Sequence, residues 1–84
     1  MDIAEVTDKV RKFLVEEFEV DACKIKADAS LKSDIGIDSL DFVDIVVIVE
    51  EIFGLEISAV EVEKIGTFGE FCDYIQQKTE LRSL

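Results

Sequence analysis

Residues 38 to 54 read DSLDFVDIVVIVEEIFG, and this stretch decides between a helical fold and a β-sheet fold. Its centre is rich in β-branched residues, which taken alone would suit a buried strand. Three signals favour a helix: Asp38 is a good N-cap, Asp41 places an acid in the first turn, and Gly54 can end the helix in a left-handed conformation. The stretch is also longer than a typical strand. We therefore predict a helix from residue 39 to about residue 53.

The first helix along the chain is predicted from about Ile3 to Phe18. Asp2 can cap it, and Glu5 stands three residues later in the position of a capping box. Apolar residues recur through this segment at helical spacing and form one stripe, as expected for a helix that packs on a core. The stripe consists of Ile3, Val6, Val10, Phe13, Leu14 and Phe18.

A short third helix is predicted after the central one. Ser58 and Glu61 have the spacing of a capping box, which typically opens a helix. We expect this helix to stop at Gly66, because glycine favours the end of a helix.

A last helix is predicted to begin at a second capping box, formed by Thr67 and Glu70, and to run to about Lys78. Its inner stripe has spacings of three, four and seven residues. We expect the tail, residues 79 to 84, to fray. The stripe consists of Phe68, Phe71, Cys72 and Ile75.

The segment from Glu19 to Asp38 has no helical or strand period. Apolar residues are scattered through it among Asp, Ser, Lys and Gly, which predicts a long ordered loop anchored on the core. Together with the helices, this predicts an all-α bundle of three main helices and one short helix, with the long loop between helices 1 and 2. At 84 residues, we expect a single domain over residues 1 to 84. The anchoring residues are Ile25, Leu31, Ile35 and Ile37.

The chain is strongly acidic, with twenty acidic and nine basic residues and a net charge of −11. This charge disfavours binding to nucleic acid, whose phosphates would be repelled, and binding to anionic membrane surfaces. It favours protein partners with basic patches, which long-range attraction would steer to the chain. Alternatively, the excess of acid serves only solubility.

Histidine is absent, which removes the commonest general base and the commonest metal ligand. We therefore expect neither catalytic residues nor a metal site, and a protein that is not an enzyme. Cys23 and Cys72 are interpreted as reduced thiols of a cytoplasmic protein. No basic region precedes the first helix as in a signal peptide, and the longest apolar run, Ile45 to Val49, is far too short to span a membrane.

Ser39 is expected to be the first residue of the central helix, with its hydroxyl pointing outward. Free backbone N–H groups and the positive end of the helix dipole would lie nearby. Such a position can stabilise a phosphodiester anion on the serine oxygen. The alternative is an ordinary first-turn serine, which is common at helix starts.

The segment from Asp34 to Asp41, DIGIDSLD, resembles the attachment motif of acyl carrier proteins, (D/E)-x-G-x-D-S-L-(D/E), which is followed by an amphipathic helix. Further segments are similar to the same family, so the resemblance covers nearly the whole chain. These segments are Ala29 to Leu31, Glu50 to Phe53, Leu55 to Ser58 and Glu63 to Thr67.

The resemblance implies that a phosphopantetheinyl transferase, using coenzyme A and Mg²⁺, attaches 4'-phosphopantetheine covalently to Ser39. Asp38 would belong to the motif and cap the helix. The thiol of the arm would carry acyl groups as thioesters to enzymes of fatty acid or related lipid biosynthesis. Carriers of the polyketide, peptidyl or D-alanyl type share the serine motif and remain alternatives. Acidity and length favour a discrete acyl carrier, which we expect to be a monomer.

The central helix has more apolar residues than one buried stripe needs. Ile45, Val49 and Phe53 can face the core, whereas Leu40 and Val47, seven residues apart, can form a second, exposed patch. The resemblance implies that this patch and its acidic rim dock on basic patches of acyl-transferring and acyl-modifying synthase enzymes. The alternative places Leu40 and Val47 in the core too. The predicted docking residues are Leu40, Asp41, Asp44, Val47, Glu50 and Glu51.

A cavity for the acyl group is hypothesised between the second and third helices. Its lining would include Val46, Val62 and Ile65.

Two rival interpretations come from other classes of protein. In a calcium-binding helix-loop-helix, Asp34, Gly36 and Asp38 would alternate as loop residues. However, the twelfth position from Asp34 is Ile45, where a bidentate Glu is required, and the sixth position lacks its glycine. The other rival is an unmodified helical interaction module, in which Ser39 could be replaced without consequence.

Overall fold

Four α-helices follow one another along residues 2 to 83, the part of the chain that the computed structural model describes; side chains are described for residues 2 to 80. The helices are α1 (Ile3–Phe18), α2 (Ser39–Phe53), α3 (Ala59–Glu63) and α4 (Phe68–Ser83). The predicted all-α bundle of three main helices and one short helix is confirmed. No helix within residues 2 to 83 is long and apolar enough to cross a membrane.

α1 has the predicted bounds because its cap and its apolar stripe agree. Asp2 caps it, since the Glu5 N–H donates to Asp2 Oδ1 at 3.0 Å. The middle of the predicted stripe is buried, whereas Ile3 is exposed and Phe18 is half-buried at the two ends. The buried members are Val6, Val10, Phe13 and Leu14.

α2 also has the predicted bounds, despite its β-branched centre. Asp38 caps its start, and Gly54 ends it in the left-handed region with φ 66° and an N–H that donates to the Glu50 carbonyl. One face of the helix is buried completely, which offsets the modest cost of β-branched residues in a helix. The buried residues are Phe42, Ile45 and Val49.

α3 is shorter than predicted and begins differently. Ser58 is its N-cap residue, but the serine side chain makes no capping hydrogen bond, so the predicted capping box with Glu61 is wrong. The helix ends at Glu63, before the predicted stop at Gly66. Only one α3 side chain, that of Val62, is buried.

α4 begins as predicted and extends farther. Thr67 Oγ1 accepts the Glu70 N–H at 3.2 Å, and the Glu70 carboxylate accepts the N–H of Gly66, one residue before the expected position. The helix continues to Ser83, whereas we expected it to end near Lys78 and the tail to fray. Thr79, the first residue of that tail, is only 8% exposed because it faces the core. Leu84 lies outside the described residues.

The connecting loop, residues 19 to 38, is ordered by apolar anchors and by pairing with the α3–α4 junction. Its four predicted anchors are all buried. The Leu31 N–H donates to the Gly66 carbonyl at 3.0 Å, and the Phe68 and Gly69 N–H groups donate to the carbonyls of Ala29 and Ala27 at 2.9 Å. The loop also contains an unpredicted 3₁₀ helix, Ala22–Lys24.

Candidate functional site

Ser39 lies at the junction between the connecting loop and α2. The loop reaches this point in a fixed position, because Ile37 is buried and its N–H donates to the Leu31 carbonyl at 2.8 Å. Two residues later Ser39 is exposed, as the first residue of α2. The structure therefore holds the serine in a defined place where a large partner can reach it.

Asp38 and Asp41 form a reciprocal cap around Ser39. Asp38 Oδ1 accepts the N–H groups of Leu40 at 3.0 Å and of Asp41 at 3.2 Å. In return, Asp41 Oδ2 accepts the Asp38 N–H at 3.3 Å. This capping box satisfies helix donors that would otherwise lack partners, and it fixes the turn that carries the serine.

The same cap corrects one expectation about the site. We predicted free backbone N–H groups for an anion at this helix end, but those of Leu40 and Asp41 already donate to Asp38. The negative charges of the Asp38 and Asp41 carboxylates also partly neutralise the positive end of the helix dipole. A phosphodiester on Ser39 would therefore gain little from the helix start. On the connecting loop, Lys32 Nζ lies 5.8 Å from the ring centroid of Phe42 of α2.

The outer face of α2, which we define as Leu40, Val43, Asp44, Val47 and Glu51, continues from the serine along the helix. Leu40 is 81% exposed and Val47 is 49% exposed, so the alternative that buries them in the core is wrong. Residues four, seven and eleven positions after Leu40 lie on the same side of the helix. These residues are Asp44, Val47 and Glu51. The remaining two predicted docking residues, Asp41 and Glu50, are half-buried at its edge.

Val43 belongs to this face but was not among the predicted docking residues. It is 56% exposed, more than Val47. The signal was present in the sequence, since Val43 stands three residues after Leu40 and four before Val47, the spacing of one helical stripe. It was missed because this helix has too many apolar residues for periodicity alone to separate the buried stripe from the exposed one.

The three residues of the hypothesised acyl cavity lie in and around the core on the α2–α3 side. Val62 of α3 is fully buried, whereas Val46 of α2 and Ile65 are half-buried and pack against the core. The helices α2 and α3 pack against each other.

The two cysteines are both free thiols in different environments. Cys23 is exposed on the 3₁₀ helix, where we had expected a loop. Cys72 is buried on α4 as predicted, and burial raises the pKa of its thiol to about 11, although a hydrogen bond with Thr7 acts in the opposite direction. A thiol with so high a pKa stays protonated near neutral pH and is a poor nucleophile.

Among residues 2 to 83, no three Cys, Asp or Glu side chains converge as metal ligands would. The distinctive features of this end of the molecule are the exposed serine, the reciprocal carboxylate cap and the apolar outer face of α2.

These features are those of a carrier domain, which offers a hydroxyl for modification and a surface for other enzymes. Comparison with protein families agrees with that class: the family described as the phosphopantetheine attachment site matches residues 8 to 75, well over half of the chain. The chain belongs to the phosphopantetheine attachment-site family. Its cofactor is covalently attached 4'-phosphopantetheine, and it is a phosphopantetheine-carrying carrier protein.

Family membership also defines the general setting in which the chain works. Domains of this family are non-catalytic carriers. They are modified by phosphopantetheinyl transferases and serve synthase enzymes.

Proposed function

We propose that Ser39 is the attachment point of the arm and that the protein carries acyl intermediates for fatty acid or related lipid biosynthesis. The observation that carries the assignment is the position of Ser39. It is an exposed hydroxyl on the first residue of α2, held by the Asp38–Asp41 cap, within the residues that match the family.

In this proposal the chain's own residues hold the serine in an accessible position for the attached group and take no part in catalysis. Asp38 and Asp41 fix the turn, and Ser39 supplies the oxygen to be modified. The chain has no histidine to act as a base, so activation of the hydroxyl falls to the transferase. The attached group supplies a thiol on a flexible arm, which binds the acyl group as a thioester.

The outer face of α2 is the proposed docking surface for the transferase and for acyl-transferring and acyl-modifying synthases. Large exposed apolar side chains next to the modification site suit the centre of an interface, and acidic residues around them suit its rim. We include Asp41 and Glu50 at its edge. Basic patches on the partners would complement the net charge of −11.

The acyl group is proposed to shelter between α2 and α3, against Val46, Val62 and Ile65. The arguments for this site are the burial of Val62 and the half-buried, apolar side chains beside it. Apolar surface of this kind would stabilise an acyl chain withdrawn from water. Carriage of polyketide, peptidyl or D-alanyl groups is the alternative, and strong acidity is our reason for favouring acyl chains of lipid synthesis.

The assignment of Ser39 is tested by intact mass after incubation with coenzyme A, Mg²⁺ and a broad-specificity phosphopantetheinyl transferase. We expect a gain of one phosphopantetheinyl group, lost in Ser39→Ala. Ser33→Ala is the matched control, because Ser33 is an exposed serine of the same connecting loop, and it should be modified normally. Unchanged modification of Ser39→Ala would overturn the assignment.

A further inference from the structure

Glu61 of α3 binds two side chains of α4. The Tyr74 hydroxyl donates a hydrogen bond to Glu61 Oε2 at 2.6 Å, and Lys78 Nζ lies 3.9 Å from the same oxygen. Lys78 Nζ also lies 5.5 Å from the ring centroid of Tyr74. We call these three side chains, Glu61, Tyr74 and Lys78, the α3–α4 latch.

The latch is important for α3 because this helix has little stability of its own. It has five residues, far fewer than an isolated helix needs in water. The Ser58 side chain does not cap it, and Val60 is 61% exposed, so neither contributes to holding it. The burial of Val62 and the polar contacts of Glu61 are therefore important among the interactions that hold α3.

The two attachments of α3 point to different neighbours. Glu61 contacts α4 through the latch, whereas the next residue, Val62, is buried in the core, and α3 as a whole packs against α2. Consecutive helical residues project about 100° apart, which allows one short helix to make both contacts. Movement of α3 away from α4 would uncover Val62, on the side where the acyl chain is proposed to lie.

We propose that Glu61, Tyr74 and Lys78 determine how long an acyl chain the carrier shelters between α2 and α3. The intact latch keeps α3 against the bundle, with its Val62 side chain buried, and restricts the space to short chains. A weakened latch lets α3 move outward, so that longer chains are admitted. This inference rests on the proposed function, because it assumes that the protein carries acyl chains.

The first test measures the latch without any acyl group, by amide hydrogen exchange of the unmodified protein. Tyr74→Phe removes the hydroxyl and keeps the ring. We expect roughly tenfold faster exchange for the N–H groups of Val62 and Ile65, as for the loss of one charge-assisted hydrogen bond, and unchanged exchange in α1. These two groups donate to the carbonyls of Ser58 and Val62 at 3.0 and 3.1 Å, so they report on α3 directly.

Glu63→Gln is the matched control, because Glu63 is an exposed acid on the same helix. Unchanged exchange is expected there, whereas Glu61→Gln should behave like Tyr74→Phe. Equal acceleration in α1 and α3 would mean that Tyr74 stabilises the whole fold, and no acceleration would mean that the latch does not hold α3. Either result overturns the proposal.

The second test loads the arm with saturated acyl chains of increasing length and records methyl spectra of Val46, Val62 and Ile65. We expect the longest chain that shifts these signals to be longer in Tyr74→Phe than in the wild type and in Glu63→Gln. If the mass shows that acyl chains are loaded but the methyl signals never shift, the role of the latch is overturned and the carrier function is left intact. Failure to load Ser39 at all would overturn the proposed function and this inference with it.

Discussion

The carboxylate of Asp38 determines both where α2 begins and how Ser39 is presented. It accepts two backbone N–H groups of the first turn, and Asp41 returns the contact to the Asp38 backbone. The acid of the proposed attachment motif is therefore also a structural element of the turn. Substitutions at Asp38 should separate the effect of the carboxylate's charge on stability from the effect of its hydrogen bonds.

Replacing Asp38 with Ala should destabilise the protein by about 1 kcal/mol, and at most about 2, because the Leu40 N–H loses its acceptor and the Asp41 N–H keeps only the backbone carbonyl of residue 38. Asp38→Asn should stay close to the wild type, since asparagine caps helices about equally well. Urea denaturation of the unmodified proteins measures both differences. Equal destabilisation by Ala and Asn would show that the charge, and not the hydrogen bonding, stabilises this turn.

The buried thiol of Cys72 should make the protein less stable as the pH rises into the alkaline range. The folded protein holds the thiol proton up to a pKa of about 11, whereas an unburied thiol has a pKa of 9.0. Raising the pH through this interval therefore ionises the unfolded chain first and lowers the free energy of unfolding. The loss should reach about 2 kcal/mol near pH ~10.5.

Urea denaturation of the wild type and Cys72→Ala at several pH values isolates the effect of this thiol, because the two proteins share every other ionisable group. In reducing buffer, the difference in free energy of unfolding between the wild type and Cys72→Ala should be constant below pH 8 and should shrink above it. Iodoacetamide gives an independent check: near pH 8 it should alkylate the exposed Cys23 and leave the buried Cys72 unmodified until urea is added. Rapid alkylation of both thiols would contradict the burial.

At the scale of elements, α4 and the connecting loop approach each other closely at Gly69. A Cβ atom at this position would lie 2.8 Å from the carbonyl oxygen of Ala27, which already accepts the Gly69 N–H. Backbone cannot swing aside as a flexible side chain can. The glycine is therefore required by the contact between the helix and the loop.

Gly69→Ala should destabilise the protein by about 1 to 3 kcal/mol, as for overpacking, although alanine is the better helix former. Gly66→Ala is the matched control, because a Cβ there would meet only the Glu70 carboxylate at an ordinary 3.8 Å. Thermal unfolding should show a clear loss for the first variant and little change for the second. Similar melting temperatures for Gly69→Ala and the wild type would show that the loop yields easily.

The elements that were predicted correctly are those whose signals are local. α1 and α2 each combine a capping residue with a long apolar pattern, so their bounds follow from the sequence. α3 was misjudged because five residues carry too little pattern, and its Ser58 does not make the expected hydrogen bond. α4 was ended too early because its last turns carry charged and polar residues, although Thr79 is buried.

The contacts that were not predicted join residues far apart in the chain. The latch joins Glu61 to Tyr74, and the loop pairs with residues beyond α3. Periodicity and capping report on neighbours along the chain and contain no information on such pairings. The position of Ser39 could therefore be read from the sequence, whereas what holds α3 and the connecting loop in place could not.

For the whole molecule, charge should govern how partners find the carrier. The net charge of −11 attracts basic surfaces of partner proteins. Salt weakens this attraction, because the Debye length is only about 8 Å at physiological ionic strength. Asp44 contributes to this field from the outer face of α2, where docking is proposed, and is exposed.

The apparent KM for modification by the transferase should rise with added salt, while kcat changes little, because association depends on the field and chemistry does not. Asp44→Asn should raise KM roughly two- to fivefold at low salt, the effect of about 0.5 to 1 kcal/mol for a rim charge. Asp73→Asn removes the same charge from α4 and should have a smaller effect. Equal effects of the two substitutions would assign the attraction to net charge alone, without a preferred face.

The pairing of the connecting loop with residues 66 to 69 has a consequence for the order of events during synthesis. The segment that leads into Ser39 makes three of its backbone hydrogen bonds with residues 66 to 69, which the ribosome adds much later. A nascent chain that ends before this point can form α1 and α2 but leaves those partners of the loop missing. Ser39 therefore becomes a fixed target only after residues 66 to 69 have been added, so the proposed attachment to a nascent chain that lacks them is disfavoured by the order of the sequence itself.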